Sequence, residues 1–64
     1  MRWTDVFDIA IALDEQHPDS DPLVLNFVDL RDMVLNLEGF EDDPNRCGEK
    51  ILEAIQAAWI EESQ

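Results

Sequence analysis

Cysteine, histidine, glycine and positive charge are all scarce in this 64-residue chain, and each scarcity excludes something. The single cysteine, Cys47, leaves no disulfide to staple the fold. Staples matter at this size, because a chain of roughly 60 residues buries only about 60% of the surface its unfolded form exposes. A lone thiol in so small a domain fits a reducing cytosol better than secretion, so a cytoplasmic location is expected. One His and one Cys cannot supply the four ligands of a structural zinc site. With two serines besides, and no G-x-S-x-G or comparable elbow, nucleophilic catalysis has no footing. Two glycines are too few for a phosphate-cradling loop. No apolar run approaches the ~20 residues of a membrane span. Met1-Arg2-Trp3-Thr4-Asp5 has the character of neither a signal nor a transit peptide. Arg2, Arg31, Arg46 and Lys50 are the only Lys or Arg residues, too few to neutralise the phosphates of a duplex.

What is abundant is negative charge beside apolar side chains. Sixteen Asp and Glu give a formal net charge of −12, yet 45% of the residues are hydrophobic. A disordered acidic tail lacks the apolar residues for a core. An ordinary small domain balances its signs, since unbalanced charge destabilises the compact state by self-repulsion. The pairing predicts one folded domain over residues 1–64 with a strongly negative surface and a cationic or basic partner. General acid–base chemistry by two carboxylates needs a pocket that shifts their pKa values, and 64 residues leave little room for one.

Three amphipathic segments are legible, so the expected fold is mostly α, a small three-helix domain. The first helix is expected over Asp5–Gln16 with Thr4 as N-cap. Val6, Ile9, Ala10 and Leu13 share its inner side, Phe7 and Ile11 widen that side, and Asp5, Asp8 and Glu15 lie opposite. Pro18 ends this helix. Leu23–Phe27 reads as extended or a short strand. The second helix is expected over Asp29–Leu37, with Asp29 as its cap or first-turn acid, Leu30, Met33, Val34 and Leu37 inward and Gly39 as its stop. The third, Gly48–Glu62, turns Ile51, Leu52, Ile55, Ala58 and Trp59 to the core and leaves Ile60 on the polar side as a candidate contact. Trp59 belongs to the core, and Trp3 reads as a staple on Phe7 or its neighbours.

Carboxylates crowd at two places. Glu38, Glu41, Asp42 and Asp43 put four acids into six positions, and Asp14, Glu15, Asp19 and Asp21 surround the Pro18 turn. Such oxygen-rich patches favour hard cations and admit iron or manganese in open sites, but bind weakly without His or Cys. An EF-hand loop from Asp43 fails: Asn45 and Gly48 fit positions 3 and 6, but position 12 is Ala54 where a bidentate Glu is required. A solvated, solubilising loop is the plain alternative for any single acid. A basic protein surface is the other natural partner, including one that otherwise faces nucleic acid, in which case the chain would act as an acidic mimic blocking that groove.

Trp3-Thr4-Asp5, Pro18-Asp19, Asp21-Pro22, Phe27, Asp29, Leu37, Phe40, Asp42-Asp43-Pro44, Glu49-Lys50-Ile51-Leu52-Glu53-Ala54-Ile55 and Trp59, in this register, closely resemble the IscX (YfhJ) family of bacterial iron–sulfur cluster assembly. The resemblance implies a modified winged-helix-like fold and a non-enzymatic adaptor or regulator that binds cysteine desulfurase and binds iron, Fe(II) or Fe(III), weakly through surface acids. On that footing the metal-binding candidates are Asp19, Asp21, Glu38, Glu41, Asp42 and Asp43. The partner-binding candidates are Asp5, Asp8, Glu15, Asp29, Asp42, Asp43, Glu49, Glu53 and Ile60. A basic patch on the desulfurase is the expected partner, with no nucleic acid, no membrane and a monomeric chain. The chain departs from the family pattern at Val28, Asn36 and Cys47-Gly48, which affects helix capping and not the acids.

Overall fold

The computed structural model describes all of residues 1–64 and contains three α-helices, α1 (Val6–Gln16), α2 (Phe27–Leu35) and α3 (Glu49–Glu62), with one 3₁₀ turn at Pro44–Arg46 between the last two. No strand forms. Leu23–Phe27, read from sequence as extended or a short strand, joins no sheet: Leu23 and Val24 complete a turn, Asn26 is extended and Phe27 begins α2. No helix is long and apolar enough to cross a membrane.

Local chemistry sets each helix start, in two cases differently from the expectation. Thr4 does not cap α1. Asp5 holds the N-cap position, and its carboxylate turns back to accept from the Arg2 N–H at 2.8 Å while its own N–H donates to the Arg2 carbonyl at 2.9 Å. That reciprocal pair closes a turn that swings Trp3 inward. Of the two places expected for Asp29, the structure has the second: Asn26, three residues earlier, caps α2, its Oδ1 accepting from the Asp29 N–H at 2.8 Å. Asp29 falls in the first turn, where its charge faces the positive end of the helix dipole. Gly48 caps α3 with no side chain to offer, and Glu49 supplies first-turn negative charge.

The helix ends are equally local. His17 donates its N–H to the Leu13 carbonyl, and Pro18 beyond it cannot continue the ladder. The second helix stops at Leu35, before the expected Leu37, because Asn36 folds both its N–H and its Nδ2 onto the Asp32 carbonyl, at 3.1 and 2.7 Å. Gly39 therefore does not end the helix. It occupies the third position of the Leu37–Phe40 turn at φ +85°, the position where a type II turn needs a positive φ.

Eleven apolar residues make the core, drawn from all three helices plus Trp3 and Leu37. Ile9, Ala10 and Leu13 of α1, Leu30 and Val34 of α2, and Leu52, Ile55, Ala58 and Trp59 of α3 are the expected stripes. Met33 and Ile51 pack at its margin. Phe7 and Ile11 depart from expectation, being 74% and 41% exposed. Around the helix they follow Glu15 and Asp8, not Ile9 and Leu13, and a three-helix domain has no further layer to cover that flank. Trp3 packs on Phe40 and not on Phe7: the two rings meet edge-to-face, centroids 4.8 Å apart at 70°.

Candidate functional site

None of the sixteen carboxylates is buried. The core takes only apolar side chains, so every acid is left at the surface, against four bases. One of those bases is committed to the fold: the Arg31 guanidinium donates to the Pro44 carbonyl from Nε and a terminal nitrogen, at 3.3 and 2.9 Å, tying α2 to the 3₁₀ turn.

The acidic loop 38–43 is clasped to the N-terminal residues. Met1 donates its ammonium to the Gly39 carbonyl at 2.6 Å and accepts from the Glu41 N–H at 2.8 Å. Trp3 donates twice, from its backbone N–H to Asp42 Oδ2 at 3.0 Å and from Nε1 to the Asp43 carbonyl at 2.8 Å. Asp42 Oδ1 accepts from the Asp43 N–H at 2.7 Å, and Asp43 Oδ1 caps the 3₁₀ turn through the Asn45 N–H at 2.9 Å. The Trp3 N–H, then the Asp43 N–H, hold the Asp42 carboxyl below the usual Asp range against the opposing cost of lost hydration, and Arg46 and Arg2 assist to a lesser degree.

These contacts separate the six metal-binding candidates by role. Asp42 and Asp43 spend carboxylate oxygens on backbone N–H groups. Asp21 does likewise, its Oδ1 accepting from the Leu23 N–H at 3.0 Å in the loop before α2. Asp19, Glu38 and Glu41 are exposed. Nowhere in the chain do three or more His, Cys, Asp or Glu side chains gather as a group able to hold an ion. The acids form a charged surface, not a preformed chelating cage.

The partner-binding candidates distribute over the surface in the same way. Asp5 and Asp29 sit at the starts of α1 and α2, Asp8 and Glu15 on the outer side of α1, and Glu49 and Glu53 on α3. All six are exposed. Ile60 is half-buried. It lies one turn beyond Gln56, whose Nε2 donates to the carbonyls of Pro22 and Leu25 at 2.8 and 3.3 Å and so pins the loop between α1 and α2.

Sequence reasoning missed a groove. Val6 and Phe7 at the start of α1 and Ala54, Ala57, Ala58 and Glu61 along α3 enclose an open apolar cleft of about 310 Å³. The alanines at 54 and 57 were the available signal: they recur at i, i+3 on a side of α3 otherwise occupied by Lys50 and Glu61, and they leave depth where larger side chains would fill it.

The chain is similar to known proteins along its whole length. A family model described as iron-sulphur cluster assembly matches residues 1–64. An uncharacterized protein of Pseudomonas aeruginosa is 64% identical over 62 residues, covering 97% of this chain and 94% of its own.

Proposed function

The chain belongs to the iron–sulphur cluster assembly family, and from that premise we propose that it serves this process as a non-enzymatic acidic adaptor, docking on a basic surface of cysteine desulfurase and holding iron weakly at its own surface. The observation that carries the reading is the surface itself. A charge of −12 is displayed by a domain whose interior holds no carboxylate at all. Nothing in the fold needs so many acids; about a quarter of that number would satisfy the caps and loop turns described above. Their field raises the encounter rate with a basic partner and weakens with salt.

Iron enters as cargo or signal, not as a built-in centre. With no convergent group of ligands, an Fe(II) or Fe(III) ion is held by exposed carboxylates such as Glu38, Glu41 and Asp19 that move to meet it, and affinity is accordingly low. A cation among these acids lowers their mutual repulsion and with it the pull on a basic partner. Linkage then requires that iron change the desulfurase affinity by the same factor by which desulfurase changes the iron affinity. The domain works as a monomer in the cytoplasm.

The test is a calorimetric titration of Fe(II) into the purified chain, alone and saturated with desulfurase, under anaerobic conditions. The reading expects a stable complex with desulfurase at low salt and an iron affinity that differs between the two titrations. Absence of a complex removes the docking role, and identical iron affinities remove the coupling.

A further inference from the structure

The groove between α1 and α3 stays open, although the same two helices bury Ile9, Leu13, Ile55 and Trp59 completely. We infer that it anchors the partner interface, taking one aromatic or branched aliphatic side chain that projects from a basic segment of the partner protein. This rests on the docking reading above and adds the contact that gives it a fixed register.

Four observations carry the inference. The first is exposure: Phe7 is 74% exposed at the rim, and Ile11, one turn on, is 41% exposed. A contiguous apolar surface of this kind on a small soluble domain marks an interaction site more often than chance exposure does. The second is depth. Ala54 and Ala57 keep the α3 wall low, and the resulting 310 Å³ is at the small end of the ~300–1,000 Å³ range of ligand pockets, room for a side chain or two and not for a cofactor.

The third observation is the rim. Asp8 and Glu15 flank the Phe7–Ile11 pair on α1, at i+1 from Phe7 and i+4 from Ile11. On α3, Glu61 lines the groove and Glu53 stands one turn before Ala57. Lys50 is the single base on that side of α3. An apolar floor within a charged rim is the anatomy of a protein interface, and the sign of this rim selects Lys- and Arg-rich surroundings on the other side.

The fourth observation decides the occupant. A second copy of this chain would bring a further net charge of −12 against the first, and an anionic lipid surface would be repelled for the same reason. A basic protein segment is the occupant for which floor and rim agree.

The experiment measures desulfurase binding by wild type, Phe7→Ala, Ala57→Leu and Glu15→Gln at about 0.1 M and about 0.5 M salt. Phe7→Ala removes the aromatic side of the groove and Ala57→Leu fills it, and neither changes charge. Both positions are exposed, so circular dichroism and thermal melting should match wild type. Loss of roughly tenfold or more in affinity is expected for each, as for an anchor residue, with the same ratio to wild type at both salts. Glu15→Gln should show a smaller loss that shrinks at the higher salt, where charge is screened. Two groove variants that bind within twofold of wild type would overturn the inference and leave the docking reading intact. Wild type failing to bind at low salt would remove both. Sedimentation of the chain alone adds a further arm: self-association abolished by Phe7→Ala would show a second copy in the groove and overturn the inference as well.

Discussion

Replacing Trp3 with Phe should destabilise the domain more than the same replacement at Trp59, although Trp59 is the more deeply enclosed of the two. Trp3 is 1% exposed and Trp59 is fully buried, so both substitutions trade an indole for a benzyl ring inside a packed core, and the void terms are alike to first order. The polar terms are opposite. Trp3 Nε1 donates to the Asp43 carbonyl at 2.8 Å, and losing such a bond costs about 0.5–1.5 kcal/mol. Trp59 Nε1 is buried without a partner, a state that costs about 1–3 kcal/mol, so Phe at 59 relieves a penalty. The expected gap is about 2 kcal/mol or more, or roughly 10 °C in Tm for a domain of this size. Total stability for 64 residues is on the order of 3–10 kcal/mol, so the gap is a large fraction of the whole. Urea unfolding followed by far-UV circular dichroism measures it without relying on the indole that each variant loses. A Trp59→Phe variant as unstable as Trp3→Phe, with unchanged m-values, would refute the reasoning.

Four further substitutions probe the turns, the caps and the tethers that hold the loops. Gly39→Ala should cost about 1–2 kcal/mol in a urea titration, entirely from the φ of +85°, since nothing stands within 4 Å of the added methyl; Gly48→Ser, at an N-cap with extended φ, should instead gain a few tenths. Asp42→Asn tests the clasp by pH. The folded carboxyl titrates below the usual Asp value of about 3.9, so its stabilising contribution is in force above that value and is lost as pH falls through the folded pKa; the stability gap between wild type and Asp42→Asn should be constant from pH 7 to 5 and close in acid, and a gap that widens below pH 4 would contradict this. Gln56→Ala should lower stability by about 1 kcal/mol and speed amide exchange around residues 20–25, through loss of its bonds to Pro22 and Leu25, and an unaltered exchange pattern would show that the tether is not needed.

The helical part of this architecture was open to sequence reasoning because one face of each helix is apolar at a period of 3.6. Ile9-Leu13, Leu30-Val34 and Leu52-Ile55-Trp59 are buried as the spacing implies. Boundaries were harder where several capping residues compete. Thr4 and Asp5 are both good caps, and so are Asn26 and Asp29; the choice fell to the residue whose side chain the adjoining turn could use. The clasp between residues 1–3 and 39–43 was invisible, since it joins segments about 40 residues apart and pairs a backbone group with the Asp42 carboxylate in one bond and with the Trp3 indole in the other, and neither residue type names so distant a partner. For the site, sequence placed every acid at the surface but not their separate duties: Asp42, Asp43 and Asp21 shape loops, a role that charge counting cannot distinguish from ligand binding. Reversing Asp42 would therefore disturb the clasp as well as any partner, and Asp8, Glu15 and Glu53 are the cleaner positions for testing docking. Phe7 and Ile11 were misplaced because their angular position borders both faces of α1, and only the absence of a further layer leaves them outside.

The proposed docking of the carboxylate surface on a basic partner is tested most directly by the dissociation constant for purified cysteine desulfurase across a salt series, for wild type and for a variant with Asp8, Glu15 and Glu53 changed to their amides. Affinity should fall steadily with rising salt for wild type, and the variant should bind more weakly with a shallower salt dependence. Binding that ignores salt, or a neutralised variant that follows the wild-type curve, would contradict it.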